Sequence, residues 1–137
     1  MPINIEHLNR CILTLERSLD ALRKSETGSI EYEVFRNATV KGFELTLELS
    51  GKLSRKALKP FFATSKAVDE LVFKDVFRYA AKHGLVGIDE VERWFKYRDN
   101  RNNTAHDYGA GFAEETMKLL PGFISDARRL MDKIAQC

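Results

Sequence analysis

The chain has 137 residues, 44% of them hydrophobic and 31% charged, with a formal net charge of +2. That length suits a single domain over residues 1–137, long enough to bury a core without disulfides or metals. Eight glycines and three prolines exclude collagen-like, linker-rich and disordered classes, and no apolar run approaches the roughly 20 residues that cross a bilayer.

The N-terminal stretch Met1-Pro2-Ile3-Asn4-Ile5-Glu6 has no basic segment ahead of an apolar one, so no signal peptide is expected. Cys11 and Cys137 sit near opposite ends with no metal-ligand spacing. Free, reduced thiols and a cytoplasmic location are the simplest expectation. No stretch alternates apolar and polar residues in the manner of a strand, whereas helical spacing recurs throughout. The expected fold is all-α, an up-and-down antiparallel bundle of about five helices.

In the first predicted helix Ile5, Leu8, Ile12, Leu15, Leu19 and Leu22 step by three and four, with Asn4 as cap and Thr27-Gly28-Ser29 as terminator. The second, from about Glu31 to Ala57, carries two apolar stripes. Phe35, Ala38, Gly42, Leu45 and Leu49 form one, and Val40, Phe43 and Leu47 lie on nearly the opposite face. Such a helix is either central in the bundle or keeps one face for a partner. Gly42 then permits a close backbone approach, and a homodimer seam is the favoured expectation.

Lys59-Pro60-Phe61-Phe62 breaks that helix, and a third runs from Ser65 or Asp69 to His83, stopped by Gly84. Asp89 and Glu92 have the spacing of a capping box that opens a fourth helix. Gly109-Ala110-Gly111 reads as a loop. A fifth helix carries Leu120, Phe123, Ile124, Ala127, Leu130, Met131 and Ile134, and Pro121 inside this pattern predicts a kink or restart.

The charge is uneven. Between Lys52 and Lys82 stand Lys52, Arg55, Lys56, Lys59, Lys66, Lys74, Arg78 and Lys82, opposed only by Asp69, Glu70 and Asp75. This excess is either a solvated face or a phosphate-attracting patch, with Lys52, Arg55, Lys56, Lys59 and Arg78 as candidate polyanion contacts.

The pattern breaks in the fourth helix. Its apolar face begins as Ile88, Val91, Trp94 and Phe95 and continues as Arg98, Arg101, Asn102 and Ala105, with His106 at the edge. Buried Arg or Asn needs partners or an open cleft. An always-charged guanidinium beside a near-neutral titrating imidazole suits phosphodiester chemistry without metal or cofactor. The alternative is structural: His106 caps the helix end, and the arginines pair with Asp99, Asp107 or the acidic face of the second helix.

Arg101-Asn102-x-x-x-His106-x-Tyr108 resembles the Arg-x4-His-x-Tyr motif of HEPN domains. The chain as a whole is similar to the HEPN halves of two-gene HEPN–minimal nucleotidyltransferase modules, the nucleotidyltransferase substrate-binding proteins. The likeness includes Gly42-Phe43-Glu44, Glu48, Phe77-Arg78-x-Ala80, Gly84-Leu85 and Trp94. Ala105 and Asp107 depart from the Ser and Thr common at those places.

This resemblance implies a helical homodimer with two motifs facing one cleft, acting as a metal-independent endoribonuclease toxin. Arg101 and His106 would be catalytic, Asn102 and Arg98 supporting. A cognate minimal nucleotidyltransferase would act as antitoxin by transferring AMP to Tyr108. The other reading the resemblance leaves open is a non-catalytic nucleotide- or substrate-binding subunit of a two-component nucleotidyltransferase.

Overall fold

The structure, a computed structural model, describes residues 2–104 and 110–137. Its helices are α1 (Glu6–Lys24), α2 (Ile30–Leu58), α3 (Ser65–Asp69), α4 (Phe73–Lys82), α5 (Ile88–Thr104) and α6 (Ala110–Ala135), with a 3-10 turn at Lys59–Phe61. Among the described residues there is no strand, and no helix is long and apolar enough to cross a membrane.

Local chemistry sets most helix ends. The Asn4 side chain accepts the Glu6 N–H at 2.9 Å, and the last turn of α1 carries Arg23 and Lys24 against the carbonyl end of the helix. Gly28, at φ 90°, turns the chain into α2, whose Ser29 hydroxyl accepts the Tyr32 N–H at 3.1 Å. Gly84 adopts φ 81° just beyond α4, the left-handed stop read from the sequence.

Helix α2 is the central element and touches α1, α4, α5 and α6. Phe43 and Leu47 are buried as the spacing predicts, but Ala38 and Leu45 from the other stripe are exposed. The second buried set is instead Thr39, Thr46, Ser50 and Ser54. Thr39, Thr46 and Ser50 return their hydroxyls to carbonyls four residues back, each at 2.7 Å, so small polar residues enter the core already satisfied. The close approach at Gly42 is made within the chain: a Cβ there would stand 3.5 Å from the Leu15 backbone on α1. Ile30, Val34 and Leu45 on α2 remain exposed.

Four details differ from the sequence-based expectation. The third helix divides into α3 and α4: Leu71 and Val72 lie outside both helices, Val72 is extended, and the Arg55 Nη2 donates to the Leu71 carbonyl at 2.7 Å. Helix α5 begins at Ile88, so Asp89 falls inside its first turn rather than at a cap and no capping box forms with Glu92. Helix α6 already includes Ala110 and Gly111. It also runs through Pro121 without restarting; Pro121 is exposed, where the carbonyl left without an N–H partner can be served by water.

The core closes around aromatic rings from four helices. Trp94 stacks on Phe77 at 4.5 Å, and Tyr97 meets Phe123 at 5.0 Å. Phe123 in turn lies 4.9 Å from Phe43. Phe73, at the start of α4, leans on Phe77 at 4.8 Å and carries this packing out to the surface.

Candidate functional site

That surface is a cleft of about 500 Å³ lined by Glu44, Leu47, Glu48 and Arg55 of α2, Val72 and Phe73 at the start of α4, and Arg98 and Arg101 of α5. Gly51 lets the floor form, since a Cβ there would come within 3.2 Å of the Phe73 ring. Over the face of Phe73 lies the Arg98 guanidinium, 5.1 Å from the ring centroid. Arg55 is anchored through Nη2 on the Leu71 carbonyl, while its buried Nε has no hydrogen-bond partner among the described residues.

Neither Arg98 nor Arg101 forms an ion pair among the described residues. Asp99, their neighbour in sequence, is taken by Lys74 of α4 at 3.2 Å. The cleft thus holds three guanidiniums without carboxylate contacts, an arrangement that leaves their donors available to a phosphate. Of the residues singled out from sequence, Arg55, Arg98 and Arg101 come together. Asn102 is exposed on the same helix end. Lys52, Lys56 and Lys59 are exposed without lining this cleft. Arg78 bonds Asp75 at 2.7 Å and lies 5.0 Å over the Phe95 ring, outside it. His106 and Tyr108 lie outside the described residues.

The inward face of α5 differs from the predicted one. Trp94 is buried as expected, but Ile88 is 85% exposed, and Tyr97 and Asn100 are the residues buried alongside Trp94. Asn100 donates from Nδ2 to the Thr116 hydroxyl at 2.9 Å. Further along, Asp126 of α6 is fully buried and receives Arg93 through two hydrogen bonds of 2.9 Å and the Tyr97 hydroxyl at 2.5 Å, with Arg129 also bonded to it. Burial alone would raise the Asp126 carboxyl. The Arg93 guanidinium, the Tyr97 hydroxyl and Arg129 outweigh it and hold the group below the usual carboxylate range.

These two clasps lock α5, the helix that carries Arg98 and Arg101, to α6. Sequence reasoning missed them. The signal was present: Tyr97 and Asn100 continue from Trp94 in steps of three, and Asp126 falls within the core-facing spacing of Phe123, Ala127 and Leu130.

Comparison with known proteins places the molecule among relatives. A family model described as "nucleotidyltransferase substrate binding protein like" matches residues 3–136. A Haemophilus influenzae protein named "Probable ribonuclease HepT" is 24% identical, over 98% of this chain and 93% of that protein. A solved Haemophilus influenzae structure, described as revealing the fold of a substrate binding domain of a nucleotidyltransferase, superposes with a TM-score of 0.82 at 23% identity. It covers 96% of this chain and 98% of its own. A Thermus thermophilus structure follows with a TM-score of 0.68 at 23% identity, covering 93% and 98%.

Proposed function

Because the chain belongs to the family of nucleotidyltransferase substrate-binding-like proteins, we propose that it is the endoribonuclease toxin of a two-component toxin–antitoxin module. The observation that carries this reading is the cleft in which Arg55, Arg98 and Arg101 meet without ion-pair partners among the described residues. The name of the Haemophilus influenzae relative supports the same class of reaction.

Arg101 holds the scissile phosphate and stabilises charge developing on its oxygens, with Arg98 beside it. His106, five residues further on, takes the proton from the ribose 2′-hydroxyl or supplies one to the leaving 5′-oxygen. The 2′-oxygen–phosphorus bond forms as the 5′-oxygen–phosphorus bond breaks, leaving a 2′,3′-cyclic phosphate and a 5′-hydroxyl without need of a metal. Asn102 orients His106 or the phosphate. The protein works in the cytoplasm as a homodimer with its two motifs on one cleft. A cognate minimal nucleotidyltransferase silences it by moving AMP from ATP onto the Tyr108 hydroxyl with release of pyrophosphate, adding bulk and negative charge where RNA phosphate must sit.

The family description and the solved Haemophilus influenzae structure favour a second reading, a subunit that binds nucleotide or substrate for a separate nucleotidyltransferase. One experiment separates the two. The purified protein, shown by intact mass to be unmodified, is incubated with total RNA in EDTA beside His106→Ala. The expected result is cleavage by the first and none by the second, with both equally folded. Activity retained in His106→Ala removes the mechanism, and no cleavage by either points to the binding subunit.

A further inference from the structure

The cleft is not built for phosphate alone. Glu44 and Glu48, one turn apart on α2, line it beside the three arginines, yet neither forms an ion pair or hydrogen bond with them or with any other described residue. For a site meant only for anions, two carboxylates are a liability, because like charges repel. Between the charged groups lies an apolar floor of Val72, 63% exposed, and the half-buried Phe73, with Leu47 buried beneath them. The volume, about 500 Å³, falls in the range that takes a molecule of nucleotide size. A flat aromatic heterocycle with hydrogen-bond donors on one edge and a phosphate attached meets all three features at once.

Base chemistry narrows the choice. An ionised carboxylate only accepts hydrogen bonds. Guanine presents two adjacent donors, N1–H and the 2-amino group, which one carboxylate can receive together. Adenine and cytosine each set a ring-nitrogen lone pair next to their amino group, and uracil flanks its single N–H with two carbonyls, so each of these turns an acceptor toward the carboxylate. Guanine also carries O6 and N7 on its opposite edge, the pair of acceptors that an arginine fork matches.

We infer that this cleft is a guanosine subsite: the base rests on Val72 beside the Arg98-capped Phe73 ring, Glu44 or Glu48 receives N1–H and the 2-amino group, and Arg98 and Arg101 hold the adjoining phosphate. The inference rests on the reading of the chain as an RNA-cleaving protein and adds the base it selects. Arg55 is the remaining donor: its side chain is pinned through Nη2, and its buried Nε is without a partner among the described residues.

The test is calorimetric binding of 3′-GMP, 3′-AMP, 3′-CMP and 3′-UMP to the full chain, alongside mapping of cleavage ends on an RNA of mixed sequence. Binding of 3′-GMP about tenfold tighter than the other three is expected, with cleavage concentrated next to guanosines. In Glu44→Gln/Glu48→Gln the four nucleotides should bind within about twofold of one another, because an amide sets a donor against N1–H. If the double variant does not fold, Glu44→Gln and Glu48→Gln are each measured in its place, and one of the two should lose the preference. Equal binding of the four nucleotides by the wild type overturns the subsite, and if RNA is still cleaved the ribonuclease reading stands without it. Preference for 3′-GMP that survives the glutamine variants overturns the assignment to these carboxylates. Preference for 3′-GMP with no RNA cleavage upholds the subsite and overturns the nuclease.

Discussion

Asp126 is a fully buried carboxylate that collects a guanidinium fork, a phenol and a second arginine, and it joins α5 to α6. Removing one member of such a cluster leaves the others desolvated without a counter-charge. Asp126→Asn should therefore lower unfolding stability by about 3 kcal/mol, at the smaller end for buried pairs because Arg93 and Arg129 are partly exposed and can rehydrate. The pH dependence follows from the same group. Its folded carboxyl titrates below the usual range, so the stability it contributes is complete above the unfolded value near 4 and is lost as pH falls through the folded value. Urea midpoints measured from neutral pH down into the acid should fall less steeply for Asp126→Asn than for the wild type. Equal slopes would mean that other carboxylates govern acid unfolding.

At the scale of elements, the cleft depends on how closely α4 lies against α2. Phe73 sits against the bare Cα of Gly51, with Phe77 4.8 Å behind it, and carries Arg98 on its outer face. Gly51→Ala gains about 1 kcal/mol of helix propensity, which offsets the crowding at 3.2 Å, so the melting temperature should change by only a few degrees. The ring has little room to retreat into the core and must tilt, and the guanidinium moves with it. RNA affinity should fall about threefold to tenfold, a displacement of roughly 1 kcal/mol. A melting curve beside a binding titration checks both halves.

The helices themselves were largely legible, because apolar spacing at Leu8 to Leu22 and at Phe43 and Leu47 is a direct imprint of burial. What escaped was polar burial. Thr46 and Ser50 are satisfied within their own helix, and Asn100 and Asp126 by partners on another, so neither case leaves an apolar mark. Arg98 and Arg101 could be found from sequence as a break in a stripe. Their freedom from Asp99 could not, since it depends on Lys74 arriving from α4.

For the whole molecule, a net charge of +2 conceals a segment of net +5 between Lys52 and Lys82, and the fold divides that excess. Arg55 turns into the cleft to join Arg98 and Arg101, while Lys52, Lys56 and Lys59 stay exposed. Lys66 faces Glu70 and Arg78 bonds Asp75, so part of the charge is spent within the surface. Each single-stranded phosphate neutralised contributes about 0.7 to the slope of log affinity against log salt. A trinucleotide confined to the cleft, with one phosphate on Arg98 and Arg101 and the other beside Arg55, should give a slope near −1.4, or a loss of roughly sevenfold between 50 and 200 mM salt. Arg98→Ala/Arg101→Ala should make that slope shallower by about 0.7, and Lys66→Ala should leave it unchanged. A longer strand that also reaches Lys52, Lys56 and Lys59 should show a slope near −3.5, returning toward −1.4 when the three are changed to glutamine. If short and long strands share one slope, RNA is held by the cleft alone and the exposed lysines are a solvated face.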